Sequence, residues 1–361
     1  MKRFEEKNQP GGRTAEKAKL FRSVLHDSHF GGQVEIVEAV PQGDRPKAAL
    51  PIYYAHGAGW AQEKPTVEEI ARQGRSAFYM DFVGGRKPAD RYVVGNRQSA
   101  KGNVLHHMSE KEVTRLGELG VIVPQQQIRA AASLLGVIAE RSAEDRGAGR
   151  VDALLQSESA GHGLIAAYAA PEKFRNIVLA YPGGLSGKRK GFIPGRIVRD
   201  TFARRKHRPA PDNDFRYPDR LKGLQSIRMQ LKAPGFHEDA KALRHGHLPQ
   251  MLHSLRQKPH APGVTLVIGL HDGIFRLKDY FRNLVSATDV DRIVIIPGGH
   301  AIGGRKDVLA KILEQLAADD HAKSEAAQKP LRERIVFPLE VSPRTVEKIY
   351  KLADAVDRRT Q

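Results

Sequence analysis

Six short apolar runs punctuate the chain, and helix-like patterns fill most of the gaps between them. The runs are AALPIYYA (48–55), SAFYMDF (76–82), VDALLQ (151–156), NIVLAY (176–181), VTLVIGL (264–270) and DRIVIIP (291–297). A strand that is apolar along nearly its whole length has both faces buried. Between the runs, PTVEEIARQG (65–74) reads as a helix, with Thr66 and Glu69 at capping-box spacing and Gly74 as its stop. PQQQIRAAASLLGVIAER (124–141) places Ile128, Ala132, Leu135 and Ile138 on one face. Further helices are expected from Ala160, over 275–287 and over 306–316. This alternation implies the α/β class: a mostly parallel sheet flanked by helices on both faces. QVEIVEAV (33–40) alternates instead, as a half-exposed strand does.

The rhythm fails in three places. Residues 183–262 are rich in Arg, Lys, His, Pro and Gly and read as an inserted basic cap over one edge of the sheet. Residues 1–31 read as a polar N-terminal extension, with a short helix expected near Ala15–Leu25. Residues 321–361 read as a C-terminal tail. It holds a short apolar run, RIVFPLEV, and a short helix starting near Ser342–Pro343. The α/β core is then 32–182 plus 263–320, with a long loop from Gly84 to about His107.

The junction VDALLQSESAGHGLIAAYAA (151–170) crowds two serines and two glycines between a buried strand and a helix. A nucleophilic serine must stand clear of a sheet, and a sharp strand-to-helix turn achieves this when the residues two positions either side are small. Ser157 and Gly161 flank Ser159 in that way, which makes Ser159 the candidate nucleophile. The helix start then offers the N–H of Ala160 to an oxyanion. A tight βα turn with no chemistry is the plain alternative.

A serine hydroxyl needs a base, and the base needs an anion to hold its tautomer. His300 in PGGHAIGG follows the run 291–297, and Asp272 in VIGLHDGIF follows the run 264–270. Both fall where parallel sheets build sites, at the carboxyl ends of strands. His56 and Gly57 in YYAHGAGW follow the run 48–55, where Ala58 is best placed to donate a second N–H to the oxyanion. His56 reads as a structural hydrogen-bonder. A surface histidine, an Asp-Gly turn and a Gly-rich turn are the ordinary readings of these pieces taken singly.

Taken together, they resemble the α/β-hydrolase superfamily. The resemblance rests on His56-Gly57-Ala58, on Ser157 to Gly161, on Gly269 to Asp272 and on Gly299-His300, and covers about residues 33–318. Ser157 stands where the common motif has glycine. The resemblance implies a serine hydrolase that cleaves an ester, amide or thioester through an acyl-enzyme intermediate. It also implies that 183–262 is the cap that shapes substrate choice.

Composition narrows the partners. With no cysteine, thiolate zinc sites and disulfides are excluded. His245 and His247 lack a third ligand nearby, so no metal and no cofactor are expected. No run is long enough to span a bilayer, and the N-terminus has no secretory pattern, so a cytoplasmic protein is expected. The formal net charge of +18, with basic residues dense in 184–209, suggests an anionic substrate or surface beside the small-molecule ester. The alternative is a catalytically retired hydrolase scaffold acting as a basic binding protein for an anionic partner such as nucleic acid. Nucleic acid is not the expected partner, because the basic run has little aromatic interleaving and GGLSGKR lacks phosphate-loop spacing.

Overall fold

The apolar runs form neighbouring strands of one mixed sheet. The computed structural model describes residues 2–5, 18–27, 32–42, 50–56, 63–83, 91–93, 108–144, 149–185, 248–299, 306–317 and 328–360. The first six strands are β1 (Lys2–Glu5), β2 (Lys19–Asp27), β3 (Gly32–Val40), β4 (Ile52–Ala55), β5 (Ala77–Val83) and β6 (Arg91–Val93). The rest are β7 (Ile122–Pro124), β8 (Val151–Gln156), β9 (Phe174–Ala180), β10 (Gly263–Gly269), β11 (Arg292–Ile296) and β12 (Ile335–Val336). Ten of these form one sheet in the order β1-β2-β3-β5-β4-β8-β9-β10-β11-β12, and β6 pairs with β7 apart from it. Neighbours from β5 to β12 run parallel, and β1, β2, β3 and β5 pair antiparallel. This is the mostly parallel α/β sheet that the sequence implies.

The helices are α1 (Glu63–Arg72), α2 (Glu110–Glu118), α3 (Gln125–Glu144), α4 (Ala160–Ala169), α5 (Leu248–Arg256), α6 (Leu277–Asn283), α7 (Lys306–Ala317) and α8 (Pro343–Thr360). Strand periodicity sorts the core into two layers. Tyr53, Leu155, Ile177, Leu266 and Ile293 face one side with Ile128 of α3, Leu164 of α4 and Leu252 of α5. Tyr54, Leu154, Val178, Val267 and Val294 face the other with Ile70 of α1 and Ile312 of α7. Helices therefore cover both faces. Parallel strands covered this way all end on one edge, and that edge gathers the loops after β4, β8, β9, β10 and β11.

The opposite edge is pinned by charge. Asp152, the second residue of β8, is fully buried and accepts from Arg75 Nη2 and Arg175 Nη2, each at 2.6 Å. Two guanidiniums on one carboxylate satisfy a charge that burial would otherwise penalise. They fix the start of the strand whose far end carries the serines.

Several local expectations change. The helix expected near Ala15–Leu25 is strand β2, and residues 19–27 belong to the sheet rather than to an extension. Its nine residues pair with all of β3, from Lys19↔Val40 to Asp27↔Gly32, and this ladder outweighs local helix preference. Helix α1 begins at Glu63, so Thr66 is a buried interior residue and not the cap, although the stop at Gly74, φ 95°, is as expected. The apolar run of the tail yields β12, parallel to β11, and the helix after it has 18 residues. Helix α2 is opened by a Ser109–Glu112 capping box and precedes β7. The cap expected over 183–262 lies outside the described residues except at 183–185 and 248–262.

Candidate active site

Strand β8 ends at Gln156 and the chain turns at once. Ser157 has φ 58°, in the left-handed region that non-glycine residues rarely enter. A short 3₁₀ turn over Ser157–Ser159 leads straight into α4. Such strain, on the order of 1–3 kcal/mol, persists only where the surroundings fix it. Ser157 is partly exposed. Ser159 has φ −64° and ψ −15°, ordinary helical values, and is 3% exposed. Its Oγ lies 2.8 Å from the Ala55 carbonyl and 2.9 Å from the Gln156 carbonyl, so its one proton is shared between two acceptors.

The geometry sets the two serines of the turn apart. The strained, presented residue is Ser157, and Ser159 ties the turn to the end of β4. The N–H of Ala160 points back to the Ser157 carbonyl, as a 3₁₀ turn requires, and so is not offered to an oxyanion. The first amide after the strained residue is that of Glu158. Gly161 and Gly163 serve packing: a Cβ on Gly161 would lie 1.8 Å from Gln127 Oε1 of α3, and one on Gly163 2.0 Å from Leu155 Cδ1 of β8. The glycines let α4 press against both.

The turn that carries Asp272 follows β10, two strands along the sheet from β8. Asp272, 7% exposed, follows β10 by three residues. Its Oδ1 accepts from the N–H groups of Ile274 at 2.7 Å and Phe275 at 2.8 Å, which fixes the plane of the carboxylate. The loop after β11 lies against it. His271 N–H donates to the Gly298 carbonyl at 3.0 Å. A Cβ on Gly269 would sit 2.5 Å from Gly298 O and 2.9 Å from Gly299 O. Only glycine permits this approach, which brings the chain just before His300 beside the chain just before Asp272.

His56 closes β4 and stands edge-on to Tyr54, with ring centroids 6.4 Å apart. Gly57, Ala58 and His300 lie outside the described residues.

Sequence reasoning missed the segment between these loops. Tyr181, directly after β9, has φ 48° and is fully buried. Its N–H donates to Val267 O at 2.9 Å, and Gly183 N–H donates to Ser157 O at 2.8 Å. Pro182 O accepts from the Tyr280 hydroxyl at 3.3 Å. Burial, then the charge of Asp272, holds the Tyr280 phenol well above its usual range, so it stays protonated and donates. The only sequence signal was the Pro-Gly-Gly that follows Tyr181, which reads as a generic loop. His162 was missed too. It is buried on α4 with Nε2 2.9 Å from the Tyr53 hydroxyl, and burial pushes its pKa down to about 4. Among the described residues, no cluster of His, Asp and Glu could hold a metal ion, and no helix is long and apolar enough to cross a membrane.

The sequence matches no family model and no curated protein. Similar solved structures include a novel cold-adapted esterase from an Arctic intertidal metagenomic library. Identity to it is 12% over 86% of this chain and 97% of that chain, with a TM-score of 0.44. A thermophilic esterase from Thermogutta terrifontis gives 13% over 85% and 99%, with a TM-score of 0.45. The enol-lactonase from Burkholderia xenovorans LB400 gives 11% over 82% and 100%, with a TM-score of 0.46. Likenesses this distant leave the chemistry to be read from the residues themselves.

Proposed function

We propose that this chain is a serine hydrolase of the α/β-hydrolase type, cleaving a carboxylic ester through an acyl-enzyme, with Ser157 as its nucleophile. The observation that carries the reading is the left-handed φ of 58° at Ser157, on the strand-to-helix turn at the edge where the Asp272 loop also ends. In this scheme the Ser157 oxygen attacks the carbonyl carbon while His300 accepts the hydroxyl proton, and Asp272 orients the imidazole. The oxyanion is held by the N–H of Glu158 and a second N–H from the loop at Gly57–Ala58. His300 then protonates the departing alcohol. Water attacks the acyl-serine, again giving its proton to His300, and the acid leaves as Ser157 regains a proton.

Esters are favoured because the alkoxide leaves more readily than an amine and asks least of the acid. Ser157→Ala and Ser159→Ala separate the two serines. The first should abolish turnover of short-chain aryl esters, and the second should keep it at a reduced folded fraction. Loss in the Ser159 variant alone would refute Ser157, and loss in neither would refute this turn as the source of the nucleophile.

A further inference from the structure

We infer that Tyr181 is a positioning residue of this site, a strap that locks the Ser157 turn to the Asp272 turn; the inference builds on the hydrolase reading above. Three described non-glycine residues have left-handed backbone: Ser157, Tyr181 and His260. His260 sits in an exposed turn before β10, at the other end of the sheet. Tyr181 and Ser157 sit together at the carboxyl edge, each the first residue past one of two adjacent strands. A bulky aromatic gains nothing intrinsic from that conformation, so contacts must hold it there.

Those contacts reach both sides. Strand β9 lies between β8 and β10. An ordinary extended exit would carry the chain past both neighbours. The Tyr181 N–H completes the β9–β10 ladder, and the reversal at Tyr181 then lets the next two residues reach the segments on either side. The Tyr181 N–H holds Val267 of β10, and the Gly183 N–H holds the carbonyl of Ser157 itself. Pro182 O receives the hydroxyl of Tyr280, which is buried on α6 beyond the acid loop. The Tyr181 ring fills the space over Gly269, with Cε1 2.9 Å from where a Cβ would stand. The same Gly269 position abuts Gly298 and Gly299. One buried ring therefore backs the loops of the acid and the base while its own chain holds the nucleophile turn.

The strap touches no reacting atom. Its loss should let the hydroxyl and the carboxylate drift relative to each other, and a displacement near 1 Å costs up to about 100-fold in rate. The test compares Tyr181→Phe, Tyr181→Leu and Tyr181→Gly in the full chain. Leucine keeps a buried apolar side chain, and glycine relieves the backbone strain while removing the ring. The Leu and Gly variants should lose about 10- to 100-fold in kcat with KM nearly unchanged, and Phe should restore kcat to within about threefold.

Hydrogen exchange gives a readout that does not need activity. In the Leu variant, protection should fall together in 155–161 and 267–275 and stay unchanged in 34–40. Wild-type kcat in the Leu variant, a Phe variant as impaired as Leu, or exchange loosened only within 174–185 or evenly over the sheet would each overturn the strap. If the wild-type chain hydrolyses no ester, the hydrolase reading fails, and the exchange pattern still decides whether the strap exists.

Discussion

Replacing Ser159 with alanine removes a hydroxyl from between the carbonyls of Ala55 and Gln156. Two buried acceptors then lose their donor, so the variant should be less stable by about 1–3 kcal/mol in urea while fluorophosphonate labelling persists. A stable variant that no longer labels would contradict the structural role given to Ser159. His162 yields a second prediction at this scale. Its imidazole protonates near pH 4 when folded and near 6.5 in the unfolded chain. Between those values the unfolded state binds the extra proton, so stability rises with pH across that window and falls as acid is added. The loss between pH 7 and about pH 4.5 should be on the order of 2–3 kcal/mol. His162→Gln, which cannot titrate, should show a correspondingly shallower slope in unfolding midpoint against pH; identical slopes would contradict the burial effect. Local spacing also explains why the sequence points to Ser159 and the proposed mechanism to Ser157. Small-x-Ser-x-small spacing fits Ser159 because Gly161 lies two residues on. That glycine answers instead to Gln127 of α3, a contact between distant residues that no local pattern contains. The usable local signal was the end of the apolar run at Gln156, which leaves Ser157 as the first residue of the turn.

Elements were more legible than the residues at their tips. The fully apolar runs gave the parallel strands directly, because burial on both faces leaves no room for another pattern. Strand β2 was not legible, since its ladder depends on a partner edge supplied by β3. The pairing of β12 with β11 likewise involves only Ile335 and Val336, too short a run to read. Asp272 and His300 were readable as loop residues after strands, but the close approach of the chain at Gly269 to Gly298 and Gly299 depends on how β10 and β11 end. Gly269 holds that junction. Gly269→Ala would press a Cβ within 2.5 Å of a backbone carbonyl and 2.9 Å of a second, and backbone cannot rotate away as a side chain can. The variant should therefore lose ester turnover by more than about tenfold while still folding, as the two loops move apart. Wild-type kcat in that variant would show that the two loops need not touch for catalysis.

Across the whole molecule, charge is the property the fold does not explain. A net +18 on 361 residues acts at long range and is screened by salt. If it steers an acidic substrate, kcat/KM for a dicarboxylate monoester should fall severalfold from low to high ionic strength while that for a neutral ester stays level. Equal salt responses would assign the charge to solubility alone. The proposed mechanism turns on one event, reaction at the serine of the strained turn. Its most direct measurement is mass-spectrometric mapping of the fluorophosphonate adduct on the wild-type chain. A single adduct on Ser157 is the predicted result, and an adduct on Ser159, or on a serine outside this turn, would contradict it.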